Sequence, residues 1–243
     1  MGQGQSCSAQ SLCGVEDELV EAQGELDSLS QLDQVSAYSS NYFERDAAEL
    51  DELARAAKYE HPKADVVEQR PAHRFSSGAV YTGEWMGFER HGFGEQKFAD
   101  GASYTGQWAR NKAHGLGLFK HEDGDEYWGE WKQNVACGHG TFRHQAAERG
   151  DGAVTTFRGE FKNDLQDGVG EERWETDGSV YYGAYRRGVK AGAGKYTWSH
   201  GDASFRGGWR NNKIDGAGVY ATQGKKYSGQ WRGGVMDGVG TYE

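Results

Sequence analysis

The sequence predicts an all-β protein: an elongated, single-layer antiparallel meander sheet of seven β-hairpins, with an acidic α-helical arm at its N-terminus. Three observations lead to this fold class: a seven-fold repeat of aromatic residues and glycine, an unusual composition, and a negative charge confined to one end. The 243 residues contain 38 glycines and 13% aromatics but only 2 prolines, which excludes collagen and argues against simple disorder. Only 36% of the residues are hydrophobic, which argues against a deep globular core of ordinary size.

One sequence unit occurs seven times from residue 81 onwards. Each copy begins with an aromatic-x-Gly-x-aromatic pattern, and a Gly-x-Gly follows nine residues after the central glycine. The seven patterns are Tyr81, Gly83 and Trp85; Tyr104, Gly106 and Trp108; Tyr127, Gly129 and Trp131; Phe157, Gly159 and Phe161; Tyr181, Gly183 and Tyr185; Phe205, Gly207 and Trp209; and Tyr227, Gly229 and Trp231. One longer spacing contains an insertion near residues 144–156, and residues 75–78 match 98–101, which indicates a half-unit before the first repeat.

Each unit is expected to form a β-hairpin. A period of two places both rings and the glycine between them on one face of a strand. Pairs such as Asn211-Asn212 and Gly233-Gly234 follow, and these residues tolerate the positive φ of tight hairpin turns. The glycines should leave room for rings from a neighbouring strand. The opposite face alternates acid with base, as in Glu130-Trp131-Lys132, and should be solvated. One hairpin cannot bury its rings alone, so we expect stability to come from stacking.

The first residues carry a lipidation signature. Met1 to Ser6 fits the M-G-x-x-x-[ST] pattern of N-myristoylation at Gly2, and Cys7 and Cys13 are candidates for palmitoylation. A single myristoyl chain binds membranes only marginally, so stable anchoring needs a second signal. The cysteines are the remaining candidates, because no Lys or Arg precedes Arg45. We therefore divide the chain into an acylated segment (1–14), an acidic amphipathic helical arm (15–60), a Pro-containing linker (61–71) and the repeat sheet (72–243).

The helical arm is strongly acidic. Residues 1–60 contain 13 acidic and 3 basic side chains, which accounts for the net charge of −10 of the whole chain. A first apolar stripe runs from Val15 to Leu29. A second helix is predicted to begin at an Asn41 cap and to stop at His61-Pro62, with Phe43, Ala47, Leu50, Ala54 and Ala57 on one face. Its apolar face packs either on the protein's own sheet or on a partner protein.

A row of cations recurs three residues after the central glycine in five successive units. This cationic row consists of Lys132, Lys162, Arg186, Arg210 and Arg232. Such side chains either pair with acidic neighbours across the strands or bind anionic lipid headgroups or an acidic protein surface. The row and the acidic arm are also expected to attract each other, within one chain or between two. Nucleic acid is not expected as a partner, since residues 61–243 are net neutral.

Catalytic and metal sites are not expected. His91, His114 and Cys137 share one position in successive units, but equivalent residues lie two strands, roughly 9.6 Å, apart, too far to share a zinc ion. The Gly-x-Gly pairs lack the Lys-Ser/Thr of a phosphate loop and the third glycine of a dinucleotide site. The sequence therefore predicts neither an enzyme, a cofactor nor a metal. Sparse cysteines favour a reducing compartment.

At the residues of the seven units, the sequence resembles the MORN-repeat (membrane occupation and recognition nexus) family, over about residues 72–243. The resemblance implies an elongated single-layer β-sheet that serves as a scaffold or contact surface. With the acylation signature, it leads us to expect a membrane-associated scaffold on the cytoplasmic side of a membrane, with protein partners or anionic lipid on the arm and the repeat face, as a single chain or a homodimer. The alternatives are a cytoskeletal or axonemal subunit, as in radial-spoke heads of a ciliary axoneme, and a regulatory subunit of an enzyme complex.

Overall fold

The computed structural model describes residues 39–57, 66–145 and 152–243. These residues form two compact units, one that ends at Thr176 and one that spans Asp177–Glu243. In the first unit, helix α1 (Ser39–Ala56) precedes ten strands. These are β1 (Val67–Gln69), β2 (His73–Arg74), β3 (Val80–Met86), β4 (Glu89–Lys97), β5 (Ser103–Ala109), β6 (Lys112–Lys120), β7 (Glu126–Lys132), β8 (Val135–Gln145), β9 (Val154–Lys162) and β10 (Leu165–Trp174).

The second unit contains six strands and a short 3-10 turn at Ser199–Gly201. The strands are β11 (Val180–Arg186), β12 (Val189–Thr197), β13 (Ala203–Arg210), β14 (Lys213–Thr222), β15 (Lys225–Arg232) and β16 (Val235–Tyr242). In both units each strand pairs antiparallel with the next along the chain, from β3 to β10 and from β11 to β16. The predicted all-β meander of seven hairpins is therefore confirmed. Strands β1 and β2 both pair with β3, so part of the predicted linker lies in the sheet.

The hairpin turns have the backbone geometry that their residues predicted. Arg110 and Asn111 have φ of 50° and 66°, and Asn211 and Asn212 have φ of 49° and 65°. Two consecutive positive φ values match the twist of a two-residue hairpin. The second turn residue also links neighbouring hairpins: the Asn111 side-chain oxygen accepts a hydrogen bond from the Arg90 backbone N–H at 2.8 Å. The turns thus close one hairpin and fasten it to the preceding one.

Helix α1 packs on the face of the sheet that carries the repeat rings. Phe43 is fully buried and meets the rings of Tyr104 and Trp108 edge-on, at 5.3 and 5.6 Å between centroids. Leu50, two turns further along the helix, is also buried. This edge-to-face geometry is the favoured one for aromatic pairs. The sequence left two possibilities for the apolar face of this helix, the protein's own sheet or a partner protein. The structure shows that it packs on the protein's own sheet.

The predicted ends of this helix are wrong. The helix begins at Ser39 and ends at Ala56, so Asn41 lies inside the first turn and His61-Pro62 does not mark its end. An N-cap residue needs extended backbone angles. Tyr42 and Phe43 both contact rings of the sheet, and a backbone that is already helical at Asn41 places them there. The apolar stripe from Val15 to Leu29 lies outside the described residues.

A buried polar network also joins α1 to the sheet. The Arg90 guanidinium donates hydrogen bonds to the Gln96 side-chain oxygen and, at 3.3 Å, to the Phe43 carbonyl. The Gln96 amide in turn donates to the Asp46 carboxylate at 2.6 Å. Burial lowers the pKa of Arg90 to about 10, while the Asp46 charge opposes this shift. Because a buried charge is costly without a partner, this network fixes where α1 can sit on the sheet.

Candidate functional site

The sheet of each unit has two different faces. The ring face carries the aromatic-Gly-aromatic residues of the repeats, and all fourteen of these rings are buried, from Tyr81 to Trp231. The open face carries the side chains between them, because successive side chains of a strand point to opposite faces. In the first unit, this open face exposes Phe93, Leu116 and Trp128, each by more than half of its surface. A surface that exposes several large apolar side chains is a candidate interaction site.

The ring face is built by close packing of rings on glycine. Tyr127 lies over the pair Gly129 and Gly140, which stand directly opposite each other on β7 and β8. A Cβ atom on Gly129 would come within 2.5 Å of the Tyr127 hydroxyl oxygen, and one on Gly140 within 2.6 Å of it. The ring therefore covers a glycine of its own strand as well as one of the neighbouring strand, whereas the sequence suggests only the latter.

In the first unit, the rings also form a continuous ladder. Trp131 meets Tyr127 of its own repeat at 5.1 Å and Tyr104 of the preceding repeat at 5.4 Å, both edge-on. Its indole N–H donates to the Gly117 carbonyl at 3.1 Å. Burial raises the pKa of Tyr81, Tyr104 and Tyr127, so these hydroxyls stay protonated. This face is occupied by contacts that hold the repeats together.

The carboxylates of the open face have a role that sequence reasoning missed. Each Gly-x-Gly begins with a glycine of positive φ, such as Gly138 at 60°, and the strand register shifts there. The Glu130 carboxylate accepts a hydrogen bond from the His139 backbone N–H at 2.8 Å, and Glu160 accepts one from Val169 at 3.1 Å. These acids therefore satisfy the backbone of a β-bulge instead of simply alternating with lysine on a solvated face. The sequence signal for this role was a Glu or Gln directly before the second aromatic residue of a repeat.

The cationic row divides into paired and unpaired members. Arg210 and Arg232 form ion pairs with Asp215 and Asp237, at 3.0 and 2.9 Å. In the described part of the chain, Lys132, Lys162 and Arg186 are exposed and form no ion pair. Each of the five residues ends the first strand of its hairpin. Cross-strand pairing thus accounts for two members of the row and leaves three available to other charges.

A groove of about 740 Å³ crosses the open face over β6–β9. Its side-chain walls are formed by Leu116, Trp128, Glu130, His139, Thr141 and Arg158. Trp128, Thr141 and Arg158 stand opposite one another on three successive strands. Backbone atoms of glycines, including Gly129 and Gly140, complete the lining. The groove therefore has an apolar end at Leu116 and Trp128 and a cationic end at Arg158.

Metal ligation has little support in the described residues. These residues contain no group of three or more His, Cys, Asp or Glu side chains that could hold a metal ion. Cys137 is half-buried, and its burial raises the pKa of the thiol, which disfavours the thiolate needed for ligation. The candidate lipidation residues Gly2, Cys7 and Cys13 lie outside the described residues. Where the structure is described, no helix is both long and apolar enough to span a membrane.

The hairpins in fixed register, with ring-on-glycine packing in every repeat, define a stacked-hairpin repeat protein. The family model for the MORN repeat matches residues 81–103, 104–126, 127–145, 157–179, 181–203, 205–223 and 227–243, more than half of the chain. The chain therefore belongs to the MORN-repeat family. A search of curated proteins found no match. MORN repeats are generally structural or binding modules, and they indicate a protein-interaction or membrane-associated role.

Proposed function

We propose that this chain is a non-enzymatic, membrane-associated scaffold. An acylated N-terminus holds it on the cytoplasmic side of a membrane, and its MORN sheet recruits protein partners or anionic lipid. The observation that carries the proposal is the N-terminal signature, in which Gly2 and Ser6 fit N-myristoylation and Cys7 and Cys13 supply sites for a second acyl chain. Two such chains together give stable anchoring, whereas one does not.

The open face supports the recruiting half of this proposal. In the first unit it exposes large apolar side chains beside cations, while the ring face is occupied by α1 and by the repeat rings. Lys132 and Lys162 contribute positive charge that no described carboxylate neutralises. Near an anionic surface, each such charge contributes roughly 1 kcal/mol of attraction. These contributions suit a surface that works together with a lipid anchor.

Metabolic labelling with a myristate analogue tests the anchor. Wild type, Gly2→Ala and the double variant Cys7→Ser, Cys13→Ser are compared for label incorporation and for their distribution between membrane and soluble fractions. We expect Gly2→Ala to lose the label and the membrane association, because palmitoylation depends on the first chain. The double cysteine variant should keep the label but bind membranes weakly. If Gly2→Ala fractionates as wild type does, the anchor proposal is wrong.

A further inference from the structure

We propose that the groove over β6–β9 is a docking site for a peptide segment of a partner protein. The segment presents one bulky apolar side chain to Leu116 and Trp128 and, three residues further along in a polyproline II conformation, a carboxylate to Arg158. This inference deepens the proposed scaffold function by naming a site and the chemistry of the partner that fits it. It does not depend on acylation.

The apolar end of the groove supplies the anchor. Trp128 is 58% exposed and Leu116 is 54% exposed, and they lie on the adjacent strands β7 and β6. Tryptophan is enriched among the residues that contribute most to protein interfaces, because it buries a large area with few rotatable bonds. The packing of the sheet leaves more than half of each side chain in water. A bulky apolar side chain placed between them would remove both from water.

The position of Arg158 sets the distance between the two side chains that the peptide must present to the groove. Arg158 lies two strands from Trp128, roughly 9.6 Å away. A peptide in the polyproline II conformation rises about 3.1 Å per residue and has three residues per turn, so side chains three residues apart span this distance on one side of the peptide. Arg158 is exposed and forms no ion pair within the described residues. The carboxylate of Glu171, directly opposite on β10, pairs with Arg173 at 3.3 Å, and that of Glu160 accepts a backbone hydrogen bond. Arg158 is therefore available for a bidentate hydrogen bond with an incoming carboxylate.

A peptide fits this groove better than other ligands. The strands beneath it have their backbone groups paired on both sides, so a partner cannot add a strand there and must bind through side chains. A small molecule would leave most of its surface in water in a groove whose walls are half-exposed. A flat bilayer would touch Trp128 and Leu116 but would not reach the glycine backbone between the walls.

Fluorescence polarisation with a labelled peptide tests the proposal on the full-length, unacylated protein. The probe is a short Gly/Ser peptide with one Trp and, three positions later, one Glu, and a second probe carries Lys in place of Glu. We expect saturable binding of the first probe, weakened about tenfold or more by Trp128→Ala. Arg158→Glu should weaken binding of the Glu probe and strengthen binding of the Lys probe, because the charges are exchanged.

Two control variants separate the site from the general surface. Phe93→Ala removes another exposed aromatic of the open face, and Lys112→Glu makes the same charge change on β6 away from the groove; both should bind the Glu probe as wild type does. Absence of saturable binding, or equal losses in site and control variants, overturns the proposal. It is also overturned if phosphatidylserine vesicles, but not the peptide, bind in a Trp128-dependent way. If Gly2→Ala fractionates as wild type does while peptide binding is intact, only the proposed lipid anchor is refuted.

Discussion

Substitution of Gly129 by alanine should destabilise the sheet far more than the size of a methyl group suggests. The new Cβ would lie 2.5 Å from the Tyr127 hydroxyl oxygen, 2.7 Å from the Gly140 Cα and 2.8 Å from the His139 carbonyl oxygen. Two of these three contacts are with backbone of the neighbouring strand, so relief requires β7 and β8 to separate. A ring that swings away would in turn lose its edge-on contact with Trp131.

The expected magnitude follows from overpacking. Extra carbon atoms in a close-packed site cost roughly 1–3 kcal/mol. The entropy that alanine removes from the unfolded chain offsets only about 0.4–1 kcal/mol of this cost. Taking the upper part of the overpacking range, we expect the free energy of unfolding to fall by about 1–2 kcal/mol. For a chain of this size, that lowers the melting temperature by roughly 2–8 °C. Because repeat proteins unfold in segments, amide hydrogen exchange of β7 and β8 should also report the loss locally.

Gly233→Asn provides the matched control. Gly233 lies in a hairpin turn with φ of 59°, and a Cβ atom added to it would meet no heavy atom within 4 Å beyond its two chain neighbours. Asn163 and Asn211 occupy the same turn position in other hairpins with φ of 51° and 49°, so asparagine is tolerated there. Thermal melting followed by circular dichroism compares the two variants with wild type. Equal melting temperatures for Gly129→Ala and Gly233→Asn would refute the ring-on-glycine account of the buried face.

The two faces of the sheet lead to three further predictions. Glu84→Ala should cost about 1 kcal/mol, because it leaves a bulge N–H of β4 without its acceptor, whereas Glu84→Gln should melt close to wild type. Burial raises the pKa of Tyr81, Tyr104 and Tyr127 above the ordinary value of 10.0, so the unfolded state loses more of these protons above that pH. The free energy of unfolding, from urea titrations, should therefore fall as the pH rises beyond about 10. In sedimentation with phosphatidylserine vesicles, charge reversal of Lys132 and Lys162 should weaken binding of the unacylated protein more than reversal of the paired Arg210 and Arg232, and equal effects would contradict a role for the unpaired cations.

The hairpins were predictable because each depends on residues close together in sequence. The ring-Gly-ring period specifies which face is buried, and pairs such as Asn211-Asn212 specify where the chain reverses. These determinants lie within a few residues of one another and recur seven times. Local pattern and global fold therefore agree, which is the condition under which sequence reasoning succeeds.

The docking of α1 and the groove were not predictable in the same way. Asp46 reads as one more acid of a solvated arm, yet it is 1% exposed because Gln96, fifty positions along the chain, donates a hydrogen bond to it. Likewise, Trp128 and Arg158 acquire a shared groove only through the register of β7, β8 and β9. The insertion before β9 hides this register in the sequence. Both features depend on contacts between distant segments, which no local pattern encodes.

The repeats divide their positions between folding and recognition. The rings and glycines recur in every unit because each is held by contacts within and between hairpins, as for Trp131 with Tyr127 and Tyr104. The residue before the central glycine faces the open side and varies among the units, with five residue types in seven positions: Thr82, Thr105, Trp128, Arg158, Tyr182, Arg206 and Ser228. Since this position makes no ring contact, its identity can change without cost to the ring face. Binding chemistry on the open face can therefore vary from one hairpin to the next while the sheet beneath it stays the same.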